Sequence, residues 1–141
     1  MKAKTVKPSS SYQLGLPKDI CEQSEGGTSS FWLDGEPLLL QLSSYLREKG
    51  QQVGAQDRLR DRIAKHPQQT WRTWKRRIYA GPGVDQATAE FKDDNGVLWL
   101  HSYLVWPHLT IYATISGPKE LLDDKNNWAM QGLKSVRLVT H

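Results

Sequence analysis

Histidines, a lone cysteine and a few carboxylate pairs are the residues of this 141-residue chain whose types could do chemistry. His66 precedes Pro67 at the end of a helix-like run, where a cation complements the helix dipole. His101 and His108 belong to one hairpin. A turn centred on Trp106-Pro107 sets position 105 opposite position 108, so His101 falls roughly 13 Å along the strand from His108. First-row metal ligands sit about 2 Å from the ion, so this pair cannot chelate one metal without a bulge. His141 is terminal, and no metal site or cofactor is expected. Asp93-Asp94 falls in a turn and Asp123-Asp124 in the first turn of a helix, both places that suit solvated acids. A glycosidase-like pair must face across a cleft, which sequence neither shows nor excludes. Gly81-Pro82-Gly83 lacks the Lys and helix of a phosphate loop and reads as a turn. Ser9-Ser10-Ser11 carries no Gly-x-Ser-x-Gly elbow. Cys21 is the only cysteine, which rules out an intramolecular disulfide. Its neighbours Asp19 and Glu22 tend to raise a thiol pKa, so it reads as a small hydrophobe.

One stretch has functional pull, Trp71-Arg72-Thr73-Trp74-Lys75-Arg76-Arg77-Ile78-Tyr79. The chain carries a net charge of +4, yet the window 58–77 holds eight basic residues against the single acid Asp61. So polarised a distribution selects partners by sign. The expected binding surface is a basic face made of Arg58, Arg62 and Lys65 on a helix and Arg72, Lys75, Arg76 and Arg77 on a strand. Trp32, beside an Asp-Gly turn, is the aromatic expected to be exposed as an anchor, with Trp74 a second. Cations interleaved with aromatics can also stack bases and neutralise phosphates. Trp71 and Trp74 differ by three, however, so on a strand they face opposite sides and form no single stacking platform. The plainest alternative is a solvated strand whose cations pair with Glu90, Asp85 or Asp57. Trp99, Trp106 and Trp128 read as core.

These residues need a scaffold, and the length is that of a single domain, expected over 12–141. Residues 1–11, rich in Lys, Ser and Pro, read as a flexible arm. No run approaches the ~18 apolar residues of a membrane span, and no apolar segment follows the basic start as in a signal peptide. The expectation is a cytoplasmic protein without membrane association.

Along the chain, 12–17 suggests a short edge strand ending at Pro17. Residues 30–33 and 38–46 flank Asp34-Gly35, a hairpin signal that favours strand for 38–46, although Leu38-Leu39-Leu40 would also suit a helix start. Residues 55–65 read as a helix, with Ala55, Leu59 and Ile63 on one face and Pro67 ending it. Four strands follow at 71–80, 84–92, 97–106 and 109–116. Asn95-Gly96 is expected to supply a type I′ turn, and the third strand, apolar on both faces, to be central. Leu109, Ile111, Ala113 and Ile115 mark the core face of the fourth. Pro118 opens a last helix carrying Leu122, Ala129, Leu133 and Val136, which Asn126-Asn127 could split. The fold class is α+β: strand, strand, helix, four-strand antiparallel meander, helix, with the two helices packed on one face of the sheet or flanking it.

The aromatic hairpin Trp99-Leu100-His101-Ser102-Tyr103, then Trp106-Pro107, the strand to Ser116 and the helix after Gly117-Pro118, resembles the Mog1p/PsbP-like fold over 30–138. That superfamily includes bacterial proteins of unknown function and chaperones that load type VI secretion effectors. The resemblance implies a non-enzymatic binding, adaptor or chaperone protein and supplies no site residues. The resulting expectation is a module that binds an acidic protein through its basic face: an adaptor, an effector chaperone or an immunity protein. Nucleic-acid binding through 71–79 is the alternative, and a small enzyme with a cleft lined by Tyr103, His101 and Glu90 the third.

Overall fold

The computed structural model describes residues 3–46, 53–75, 77–79, 81–124 and 126–139. Two antiparallel sheets build it. The first runs β1 (Ala3–Ser9), β2 (Tyr12–Pro17) and β10 (Arg137–Leu138), with β2 in the middle. The second has seven strands: β3 (Cys21–Glu25), β4 (Thr28–Trp32), β5 (Leu39–Leu46), β9 (Leu109–Gly117), β8 (Leu98–Val105), β7 (Asp85–Lys92) and β6 (Arg72–Thr73), in that spatial order. Among the described residues, three helices complete it: α1 (Ala55–Ala64), α2 (Lys119–Asp123) and α3 (Trp128–Lys134).

The large sheet follows from its apolar pattern. β8 and β9 are buried on both faces and sit centrally, each bonded to two neighbours. Leu100 and Leu104 of β8 share one face with Ile111 and Ile115 of β9 and Leu40 and Leu42 of β5. Those residues meet Tyr12, Leu14 and Leu16 of β2 and Met130 and Leu133 of α3 in the main core. On the opposite face, Ala55 and Leu59 of α1 pack on Ala87 and Ala89 of β7 and Tyr103 and Val105 of β8. The two alanines leave room for a helix to lie close. The helices thus flank the sheet, α3 on one face and α1 on the other, because β8 has apolar residues to bury in both directions.

The structure departs from several of these expectations. Residues 3–9 are strand β1, whose Val6 is buried, so the segment expected as an arm pairs with β2 instead. One buried valine and a row of backbone hydrogen bonds suffice, and neither shows in a composition dominated by Lys and Ser. That pairing, with β10 on the other side, makes 12–17 a central strand.

The strand expected over 71–80 shrinks to Arg72–Thr73, opposite Glu90 and Ala89. Trp74 still donates its N–H to the Thr88 carbonyl at 2.8 Å, and then the chain leaves the ladder. The reason is packing. Ile78 and Tyr79 are both buried in the main core, which a period-two strand could not arrange for consecutive residues. Tyr79 meets the Trp106 ring edge-on at 5.7 Å, and its N–H donates to the Gln86 side chain at 3.0 Å.

The turn at Asn95-Gly96 is not type I′, since Gly96 alone has positive φ, at 80°. Asp93 explains the difference. Its Oδ1 accepts the N–H groups of Asn95 and Val97, each at 2.9 Å, and so holds the loop in a shape where one left-handed residue is enough. In the next hairpin Val105 pairs with Thr110, two positions beyond the expected partner, because the chain turns through Trp106, Pro107 and His108 and the Trp106 N–H closes on the Leu109 carbonyl. The final helix is split as Asn126-Asn127 suggested, with the Asn127 side chain capping α3 through the Met130 N–H at 2.8 Å.

Candidate functional site

β7 and β8 decide where every candidate residue can act. Glu90 pairs with Leu100, and Ala89 with His101, so Glu90 points to the main-core side and His101 to the α1 side. Tyr103 shares the side of His101. The three residues expected to line one cleft therefore lie on opposite faces of the sheet, and that cleft is corrected away.

On the main-core side a groove of about 730 Å³ opens between the segment after β6, the edge of β7–β8 and helices α2 and α3. Its floor is apolar: Ile78, Leu98, Leu100, Leu122 and Met130. Its rim is cationic, with Arg72, Lys75, Arg77 and Lys134. Arg72 is committed, donating from Nε and Nη2 to Oε1 of the buried Glu90. The Trp74 indole N–H reaches the same oxygen at 2.8 Å. Asp123, on the rim, is paired with Lys119 along α2. Lys75, Arg77 and Lys134 are exposed and form no ion pair among the described residues. Arg76, also expected here, lies outside the described residues.

The helical half of the expected basic face is elsewhere. Arg58, Arg62 and Lys65 lie on α1, on the other side of the sheet, around a smaller depression of about 230 Å³ that they share with Tyr45, Asp61 and Tyr103. The continuous basic face read from the sequence is thus two separate cationic surfaces. A charge run in sequence carries no information about which sheet face each part will meet.

The alternative pairing of these cations holds in part. Arg72 takes Glu90, whereas Asp57 pairs at 3.2 Å with Arg60 of its own helix and not with a cation of the strand. Asp85 instead accepts the Ala55 N–H at 2.8 Å, starting α1. Trp32 is half-buried rather than exposed, set between Cys21 and Leu39 in the ladder. Trp74 is half-buried too and packs against the main core. Trp106 is buried; Trp99 and Trp128 are half-buried, their indoles bonded to Asp93 and Glu36.

Sequence reasoning missed an aromatic box on the α1 side. Trp71, Phe91, Trp99 and Tyr112 surround His101, with the Trp71 ring 4.9 Å away and Phe91 at 5.6 Å. The Nδ1 atom of His101 hydrogen-bonds the Tyr112 hydroxyl, and its Nε2 is buried without a partner. Burial, helped by the nearby charge of Arg62, pushes the His101 pKa down to about 4, so the ring is neutral at pH 7. Alternation along β8 and β9 carried the signal, but only the register shows that Tyr103 opposes Tyr112. Among the described residues, no three His, Cys, Asp or Glu side chains come together as a metal site, and no helix is long and apolar enough to cross a membrane.

No family model matches the sequence, and no curated protein matches it. Among solved structures, the chain is similar to PsbP (CyanoP) from Synechocystis sp. PCC 6803, with a TM-score of 0.69 and 13% identity over 98% of this chain and 92% of that one. It is also similar to a crystal structure from Bacteroides thetaiotaomicron VPI-5482, with a TM-score of 0.55 and 13% identity over 92% of this chain and 46% of that one. The chain therefore spans about half the length of the Bacteroides protein. The fold is PsbP-like, as the order of elements implied.

Proposed function

We propose that this protein is a non-enzymatic binding module whose groove receives an acidic, partly apolar segment of another protein. The observation that supports this reading is the union in one groove of an apolar floor with three cations, Lys75, Arg77 and Lys134, that form no ion pair among the described residues. The floor offers area, worth about 25 cal/mol per Å² of apolar surface covered. The rim offers sign: it steers an acidic segment inward and disfavours a basic one. A volume of about 730 Å³ suits a few side chains of a docked segment. An adaptor, an effector chaperone or an immunity protein would each use such a surface.

Binding of nucleic acid through the same strand is less well supported. Trp71 and Trp74 pack on opposite sides of the sheet, and the Trp74 indole is already bonded to Glu90. Bases would find no paired stacking platform.

Display of random peptides on the full chain tests the reading. Selected peptides are expected to combine Asp or Glu with Leu, Ile, Phe or Trp, and to lose about tenfold or more in affinity for the variant Lys75→Glu/Arg77→Glu/Lys134→Glu. Selection without acidic enrichment, or affinity untouched by charge reversal, would refute it. Filter binding of an oligonucleotide between about 50 and 200 mM salt settles the rival, since phosphate contacts predict a steep loss across that range.

A further inference from the structure

The second cationic surface is independent of the groove, and its chemistry is different. Arg58 and Arg62 of α1 and Lys65, which caps its C-terminus in helical conformation, stand at i, i+4 and i+7 and so share one face. A favourable place for cations near a helix C-terminus accounts for Arg62 and Lys65 but not for Arg58, a turn further back. Among the described residues none of the three has an acidic partner, although Asp61 lines the same depression.

Arg62 is held in a fixed pose. Its guanidinium lies over the Tyr112 ring, 4.4 Å from the centroid, and its Nε donates to the Tyr103 hydroxyl at 3.1 Å. The stack and that bond leave both terminal NH₂ groups of the fork for an acceptor. Having accepted from Arg62, the Tyr103 hydroxyl keeps its own proton to donate. Beside it, the Nε of Arg58 is buried with no hydrogen-bond partner, a donor that needs an acceptor. Two arginines, a lysine and a tyrosine thus line a depression of about 230 Å³, against one carboxylate.

We infer that this depression is a site for the phosphate group of a small phosphomonoester. Three cations and one acid leave two positive charges, which match a dianion better than the single charge of a carboxylate. Several donors around one point match a group with three terminal oxygens, and a fixed guanidinium fork is the side chain best shaped to grip it. The volume admits a phosphate with a short attachment and is below that of typical drug-sized sites. The group could arrive on a soluble metabolite or as a lipid headgroup. The recognition chemistry is the same.

Amide and tyrosine-ring NMR of the full chain, titrated with glycerol 3-phosphate to about 10 mM at low salt, tests the site, since that concentration nearly fills a millimolar site. The expected result is saturable shifts confined to α1 and Tyr103. Arg62→Met should weaken binding about tenfold. Lys65→Met, at an exposed residue with no ion pair among the described residues, should weaken it a few-fold without disturbing the fold. The groove variant with Lys75, Arg77 and Lys134 reversed should titrate like the parent, which keeps this test separate from that of the groove. Co-sedimentation with phosphatidic acid vesicles, competed by glycerol 3-phosphate and absent for phosphatidylcholine alone, assigns the headgroup as source; no sedimentation alongside a saturable titration assigns the soluble ester. Absent saturation, shifts spread equally to Lys134 and Arg137, or affinity unchanged in both Arg62→Met and Lys65→Met, would each overturn the site.

Discussion

Trp71 and Trp74, three residues apart, pack against opposite faces of the seven-stranded sheet. Trp71 meets the Phe91 ring edge-on at 4.7 Å on the α1 side, while the Trp74 indole donates to Glu90 at 2.8 Å on the main-core side. The two anchor the edge of the sheet from both directions, and the groove opens where the chain departs after Trp74.

Trp74 therefore supports the groove wall through Glu90, a carboxylate with a side chain only 7% exposed. Trp74→Phe keeps the apolar contact but removes one of the donors to that oxygen. A loss of about 1–2 kcal/mol is expected in denaturant unfolding. Unchanged stability would mean that Arg72 alone satisfies the carboxylate.

His101 gives the chain an acid sensitivity. Its folded pKa of about 4 lies below the ordinary 6.5, so the unfolded chain binds the proton more readily between those values. Stability from this group is full above pH 6.5 and falls as pH drops toward 4, by about 3 kcal/mol in all. His101→Gln can keep a hydrogen bond to Tyr112 and cannot titrate. Its unfolding free energy should decline less between pH 7 and 4.5 than that of the parent; parallel curves would exclude His101 as the source.

Ala89, fully buried where α1 meets β7, sets how closely the helix lies. Ala89→Leu should cost about 1–3 kcal/mol by overpacking. Because α1 presents Arg58, Arg62 and Lys65, the same change should weaken phosphomonoester binding and leave peptide selection in the groove unaltered. A drop in both affinities would show that the two surfaces are coupled through the sheet.

Much of the fold was legible because its strands announce themselves. Asp34-Gly35 and the apolar runs on either side located the β4–β5 hairpin, and the two-sided hydrophobicity of 98–105 located the centre of the sheet. The spacing of Trp71 and Trp74 also put them correctly on opposite sides. What could not be read were pairings that leave little trace in side chains. β1 and β3 are edge strands with largely exposed residues, and their partners fix them through backbone bonds that any sequence can make. The site was read less well for a related reason. Charges adjacent in sequence are not adjacent in space here, because the helix 55–64 and the segment after Thr73 meet opposite faces of β7 and β8. The aromatic box around His101 needed the β8–β9 register, which a turn two residues longer than expected had shifted.

On the proposed reading, a protein partner docks in the groove beside Trp74. Amide shift mapping of the labelled chain with the best display-selected acidic peptide tests it most directly. The expected footprint covers the segment around Thr73 to Ile78, Leu98, Leu100, Leu122, Met130 and Lys134, with α1 and the outer face of β3 to β5 unmoved. A footprint centred on α1 or on β3 to β5, with the groove silent, would contradict it.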